Sequence, residues 1–203
     1  MPDWDEDSSR LRHNLTRILE EIVQESDQRN TPTVEMARRW QRLAIEALKP
    51  QDPRYVGAFR GEPGLERTRV RIGKFWGVAP AKVAQELKRF ERKLQTAVAE
   101  LDQVLPAGRE ANADELAATI DLCAWAHAEW VRIHPFANGN GRTARLWANF
   151  IALRYGLPPF VYLRPRPDDG YGDAGARAMR GNWKPTAKVF RRLLERFLDQ
   201  FGR

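Results

Sequence analysis

Cysteine is nearly missing from this chain: Cys123 stands alone among 203 residues. A single thiol cannot close an internal disulfide, and a structural zinc held through cysteines is excluded with it. Cys123 lies in an apolar helical stretch, where a buried, inert thiol is expected. Histidine is scarce as well, at three copies. His127 precedes His134 by seven residues, two turns back on the same helical face, but a zinc site needs a third ligand that the local spacing does not supply. Among Trp125, Ala126 and Trp130, a packed and hydrogen-bonded His127 is the expectation, and His13 reads as a surface residue. No apolar run approaches the length of a membrane span, so no membrane partner is expected. The start, Met1-Pro2-Asp3-Trp4-Asp5-Glu6-Asp7, is acidic and lacks the apolar segment of a secretory signal, which makes a cytoplasmic location the default. Repeats, linkers and low-complexity segments are missing too.

What remains is ordinary soluble composition, 42% hydrophobic and 30% charged, in a length that suits one domain with a substantial core. The net charge of +7, from 34 basic and 27 acidic side chains, favours ATP, nucleic acid or an acidic protein face as a partner. Nucleic acid is the least expected of these, because no Lys/Arg block resembles a binding arm. Arg191, Arg192 and Arg196 alternate with Leu193, Leu194, Phe197 and Leu198 as on an amphipathic helix. The seven tryptophans are scattered over helical patterns and read as core and rim rather than as a base-stacking platform.

Periodicity divides the chain into N-terminal helices (1–50), an irregular stretch (51–80) and a helical core (81–203). Leu11, Leu15, Ile18, Leu19 and Ile22 predict a helix from Ser8 to about Glu25. Met36, Trp40, Leu43, Ala44 and Ala47 predict a second helix after Thr33 that ends at Pro50. Glycine and proline break the pattern between Gln51 and Pro80. There Arg69-Val70-Arg71-Ile72 alternates as one face of a small hairpin would, although an irregular loop fits nearly as well, and Val70 and Ile72 could be plain core contacts. Pro80 opens a long helix through Leu101. Ala113 to Ile133 and Gly139 to Tyr155 form the next two, the second closed by Gly156-Leu157-Pro158-Pro159. Arg164-Pro165-Arg166-Pro167 is an extended connection, followed by helices from Tyr171 to Met179 and from Pro185 to Gln200.

The most informative segment is His134-Pro135-Phe136-Ala137-Asn138-Gly139-Asn140-Gly141-Arg142-Thr143-Ala144-Arg145. A helix that starts near Gly139 leaves its first N–H groups unpartnered at the positive end of its dipole, a ready site for an anion. Gly139 and Gly141 let an anion approach the main chain and tolerate unusual dihedrals. Arg142 and Arg145, three apart, project from one side of that helix and aim two guanidinium forks at the same place. His134, with a reference pKa of about 6.5, can take a proton from a hydroxyl nearby. Phosphoryl or nucleotidyl transfer needs that arrangement, since its acceleration comes mostly from alignment and charge neutralisation.

These residues resemble the signature of the Fic family, His-x-Phe-x-(Asp/Glu)-Gly-Asn-Gly-Arg-x-x-Arg, and match it at every position except the acidic one. The resemblance implies an all-α domain, a Fic-like helical bundle with a small β-hairpin flap, that transfers AMP from ATP to a Tyr, Ser or Thr hydroxyl of a target protein. It makes His134 the general base, Phe136 an anchor for the loop, and Asn140 a ligand of the α- or β-phosphate. Gly139, Gly141 and Arg142 would contact the phosphates, and Arg145 would clamp the γ-phosphate. Val70, Arg71 and Ile72 would form the flap on which the target's backbone docks by strand addition. The family's acidic residue binds Mg²⁺, and here Asn138 takes its place with a neutral amide. Either phosphates and water hold the metal with weak help from Asn138, which is the expectation, or another donor serves, or the site is slow.

The resemblance also raises the question of restraint. Thr16-Arg17-Ile18-Leu19-Glu20-Glu21 is similar to the inhibitory Ser/Thr-x-x-x-Glu-(Gly/Asn) of the family, with Glu21 in place of the small last residue, so Glu20 could pair with Arg145. A separate inhibitory partner protein, or none, stays open beside it. Two alternatives to AMP transfer stand beside it. One is a phosphotransferase passing on the γ-phosphate, which in the family goes with loss of the residues corresponding to Gly141 and Arg145. The other is a nucleotide-binding or interaction module of low activity, suggested by Asn138.

Overall fold

The computed structural model describes residues 8–168 and 170–201. The acidic segment before Ser8, and Trp4 within it, lie outside the described residues. Seven α-helices are found among the described residues: α1 (Ser9–Asp27), α2 (Val34–Ile45), α3 (Pro80–Val104), α4 (Ala113–Ile133), α5 (Asn140–Arg154), α6 (Tyr171–Ala178) and α7 (Lys184–Phe201). One two-stranded antiparallel sheet, β1 (Arg71–Ile72) and β2 (Phe75–Trp76), pairs Arg71 with Trp76 and Ile72 with Phe75. The fold is therefore all-α with a hairpin flap. None of the helices is long and apolar enough to cross a membrane.

Helix α5 is the axis of the bundle. Almost every residue from Arg142 to Ala152 is buried, because α1, α2 and α4 all pack against it. Helix α4 is enclosed by α3, α5, α6 and α7. The outer helices carry a single apolar stripe, as on α1, where Leu11, Leu15, Ile18 and Ile22 are buried. Where α1 starts, the Ser8 hydroxyl accepts from the Leu11 N–H at 3.1 Å.

Helix α2 stops at Ile45, short of the expected Pro50. The Asn14 side chain on α1 donates to the carbonyls of Ala44 and Glu46, and Ala47 takes a left-handed φ of 57°. A tertiary contact thus ends the helix before its sequence pattern does.

Aromatic rings fill the space beneath the loop that joins α4 to α5. Trp147 of α5 meets Trp40 edge-on at 4.8 Å, Phe90 at 5.6 Å and Trp130 at 5.8 Å. Phe136, fully buried, extends this cluster through Phe59 at 4.8 Å. Trp40, Trp130 and Trp147 therefore serve as core, and among the described tryptophans Trp76 on the flap is the exposed one. Cys123 is buried, and burial pushes its thiol well above the ordinary value, consistent with an inert group.

Farther along, Asp102 of α3 gathers three elements. It receives two bonds from Arg154 (3.1 and 2.5 Å), one from Arg29 at 3.1 Å and one from the Tyr155 hydroxyl at 3.0 Å.

Candidate active site

Helix α4 ends at His134, whose φ of 54° and ψ of 57° turn the chain sharply, its N–H still bonded to the Trp130 carbonyl at 2.9 Å. The ring is fixed by its own helix. His134 Nδ1 lies 3.1 Å from the Val131 carbonyl, and a carbonyl can only accept, so Nδ1 carries the proton. Nε2 is left with the lone pair in a ring that lines an open cavity of about 530 Å³. Desolvation, aided by the charge of Arg60 and countered by the Val131 bond, pulls the imidazole pKa down to about 4.

Arg60 explains how the turn is held. Its side chain is 1% exposed and donates to the carbonyls of His134 (2.7 Å), Ile133 (3.0 Å) and Thr68 (3.3 Å). Its main-chain N–H donates to the Pro135 carbonyl at 2.7 Å. No carboxylate joins it, and burial lowers its pKa to about 10.

Next to it, Gly77 follows the hairpin and leaves no room for a side chain. A Cβ there would lie 2.8 Å from His134 Cβ and 2.9 Å from Arg60 Nη2. Gly77→Ala is expected to displace the imidazole and lower the transfer rate about tenfold to a hundredfold while the chain stays folded. An unchanged rate in that variant would show that the close packing of Gly77 is not needed.

The loop after His134 is tied at both ends. Phe136 forms a β-bridge with Phe59. The Asn140 side chain accepts from the Phe136 N–H at 2.8 Å and donates to the Phe136 carbonyl at 2.9 Å. Asn140 is 2% exposed, and its amide braces the loop while its residue also lines the cavity. Gly139 takes φ 89° at the start of α5, a conformation that L side chains rarely adopt. Gly141 does not share that geometry. It lies within the first turn of α5, without a positive φ, and its missing side chain leaves space beside Arg145 Nη1. From α2, Gln41 donates to the Asn138 carbonyl at 3.4 Å.

Arg142 and Arg145 are each 4% exposed and line the same cavity. Arg145 is held by the Tyr171 hydroxyl at 3.2 Å and the Leu163 carbonyl at 3.0 Å. Tyr171 also meets His127 Nε2 at 2.7 Å. His127 is thus the packed, hydrogen-bonded residue expected, and desolvation, with the charge of Arg145, pulls its pKa to about 3.

The cavity brings together His134, Asn138, Gly139, Asn140, Gly141, Arg142 and Arg145 with Val70 and Arg71 of the flap. Ile72 faces an adjoining, mostly apolar groove with Phe75, Val131 and Met179. Val70 and Ile72 are half-buried beside the site and do not belong to the core. Arg164 and Arg166 also line the cavity, which the sequence did not reveal because their segment reads only as an extended connection.

Thr16 and Glu20 are not part of this site. Both are exposed on α1, the Thr16 hydroxyl bonds to the Arg12 carbonyl, and Arg145 is held by Tyr171 and Leu163. Glu20 does not pair with Arg145, because it lies on the solvent side of α1.

Nor do the side chains fit a protein-held magnesium. Asn138 offers only a neutral amide oxygen, which accepts from the Gly139 N–H at 2.6 Å and keeps one lone pair. No described lining residue is acidic, and no group of three or more His, Cys, Asp or Glu suited to a metal occurs among the described residues.

The depressed histidines set a pH dependence. A protonated imidazole cannot act as a base, so kcat/KM for transfer is expected to hold steady down to about pH 5 and to fall as pH passes through about 4. An acid limb near 6.5 would show that burial does not depress the group. The same shifts bear on stability. The unfolded chain takes up these protons first, so the contribution of His127 and His134 is full above about pH 6.5 and is lost as pH falls toward their folded values.

The fold class is thus an all-α domain whose basic, histidine-edged cavity sits over the N-terminus of its central helix. Residues 31–152 match the Fic/DOC family, and the chain belongs to it. It is 38% identical over 87 residues to a protein adenylyltransferase Fic of Nematostella vectensis, covering 43% of this chain and 20% of that protein. It is 31% identical over 152 residues to a protein adenylyltransferase Fic of Culex quinquefasciatus, covering 74% of this chain and 26% of that one. The chain therefore spans about a quarter or less of the length of these curated relatives. Fic-1 from C. elegans shares the fold with a TM-score of 0.64 at 22% identity, over 96% of this chain and 52% of that structure.

Proposed function

We propose that this chain is a protein adenylyltransferase, moving AMP from ATP to a Tyr, Ser or Thr hydroxyl of a target protein. The observation that carries the reading is the tautomer of His134: with Nδ1–H held by Val131, the basic Nε2 belongs to a ring that lines the arginine-rich cavity. Nε2 takes the proton of the target hydroxyl as its oxygen bonds to the α-phosphorus. The bond from that phosphorus to the bridging oxygen breaks, and pyrophosphate leaves. The main-chain N–H groups at the start of α5 receive the phosphates, and Arg142 and Arg145 neutralise the β- and γ-phosphates. A bound polyanion also raises the imidazole pKa, so the base strengthens once substrate is in place.

Val70, Arg71 and Ile72 are the docking element in this reading. The target's extended backbone adds to the hairpin and sets its hydroxyl beside His134. The relatives' names support the reaction type, and the presence of both Gly141 and Arg145 favours it over γ-phosphate transfer. Incubation of the purified chain with ATP, Mg²⁺ and lysate, followed by mass spectrometry of the proteins, tests it. Gain of AMP supports the reading, while gain of phosphate, or nucleotide binding without any adduct, replaces it with one of the two alternatives.

A further inference from the structure

The flap carries charge of one sign. Residues 69–76 hold Arg69, Arg71 and Lys74 and no acidic side chain. All three cations are exposed, and no described carboxylate pairs with them. Their contacts are with aromatic rings and one carbonyl. Arg69 lies over Trp76 at 4.6 Å from the ring centre and Arg71 at 5.8 Å, with Arg71 Nε donating to the Gly73 carbonyl at 2.9 Å. Lys74 stands 5.8 Å from the centre of Phe75, and the exposed Arg180, after α6, stands 5.0 Å from the same ring. A ring orients a guanidinium without cancelling its charge, and the N–H edge stays open to a carboxylate.

A second observation concerns direction. Arg69 and Arg71 are two apart and lie over the same ring, so they share one side of the flap, whereas Val70 and Ile72 between and after them are half-buried. The hairpin has only two strands, so β1 pairs along one edge and leaves the other unpaired. Val70 and Arg71 also line the cavity that holds His134. A segment adding along β1 would therefore pass beside the imidazole, and every second side chain would fall next to Arg69 and Arg71.

We propose that the part of the target that docks on the flap is acidic, an extended segment with Asp or Glu at alternate positions that meet Arg69 and Arg71. The inference deepens the adenylyltransferase reading and rests on it for the reaction. Each opposite-charge neighbour across the strands contributes up to about fivefold in affinity, and the basic flap also speeds encounter at low salt.

Three fluorescein-labelled peptides test it, each with one central tyrosine and with valine alternating with glutamate, glutamine or lysine. Binding is read by anisotropy, with α,β-methylene ATP and Mg²⁺ present to fill the arginine cavity and block transfer. The glutamate peptide is expected to bind at least about fivefold tighter than the glutamine peptide, with the lysine peptide weakest. That preference should shrink severalfold between about 50 and about 300 mM salt. Arg69→Glu, at an exposed position outside the cavity lining, is expected to cut the preference about threefold or more with the thermal midpoint unmoved, whereas Arg69→Lys keeps it. Binding of all three peptides within about twofold of one another, a preference for glutamine or lysine, no binding by any of them, or full preference in Arg69→Glu overturns the proposal. The two readings fail separately. Selective binding of the glutamate peptide without AMP transfer from ATP leaves this proposal standing and removes the transferase reading, whereas AMP transfer at equal rates to all three peptides does the reverse.

Discussion

His134→Ala is expected to lower AMP transfer by about a hundredfold to ten-thousandfold while ATP binding persists, the usual loss when a positioned base is removed. ATP would still meet the N–H groups at the start of α5 and the paired guanidinium groups of Arg142 and Arg145. Position 134 has a φ of 54°, a left-handed conformation in which histidine and asparagine occur more often than alanine. His134→Asn separates the two effects, because asparagine accepts left-handed dihedrals. A loss of similar size in both variants, with unchanged ATP affinity, attributes the effect to the missing base. If either variant turns over as fast as the parent chain, the imidazole is not the proton acceptor.

The second large effect lies far from the cavity. Asp102→Ala is expected to cost about 3 kcal/mol, or roughly 6–12 °C in Tm for a chain of this size. Arg154 is 7% exposed and bonds to Asp102 through two nitrogens, leaving only the Asn30 carbonyl if the carboxylate is lost. Arg29 and the Tyr155 hydroxyl lose the same partner. Because Asp102 is partly exposed, with 27% of its side-chain surface accessible, water offsets some of the penalty and the lower end of the range for broken buried pairs applies. Asp102→Asn keeps the shape and an acceptor and should recover part of the loss. A Tm shift under about 2 °C in the alanine variant would show that Asp102 is dispensable as a hub.

Neither Asp102 nor Gly77 could be read from the chain, and the reason is sequence separation. Leu11, Leu15, Ile18 and Ile22 announce α1 because the helix repeat is local, and the same holds for the stripe from Val83 to Leu101 on α3. The histidine, the glycines and the two arginines of the α4–α5 junction lie within one run of residues, so their meeting was legible as well. Asp102 and Arg154 are 52 residues apart, and Gly77 meets His134 across a similar gap. No periodicity records such pairs.

Other contacts around the site follow the same rule. Asn140 sits in the phosphate loop by position, and its amide also ties down Phe136, because a buried loop must satisfy its own N–H and carbonyl groups. Glu20 had the right local spacing, and only tertiary packing decides that it points to water. Tyr171 lies in a segment with no motif, yet its hydroxyl links His127 to Arg145.

In the proposed adenylyl transfer, the cage around Arg60 would give the reaction a direction. A cation enclosed by carbonyls and matched by no carboxylate, just behind the His134 turn, creates a standing electric field across the imidazole. A proton gained by Nε2 in that transfer would be repelled by the charge of Arg60 and attracted by the departing pyrophosphate. The ring would thus be biased to surrender its proton to the leaving group and to return to the neutral state that its low pKa favours.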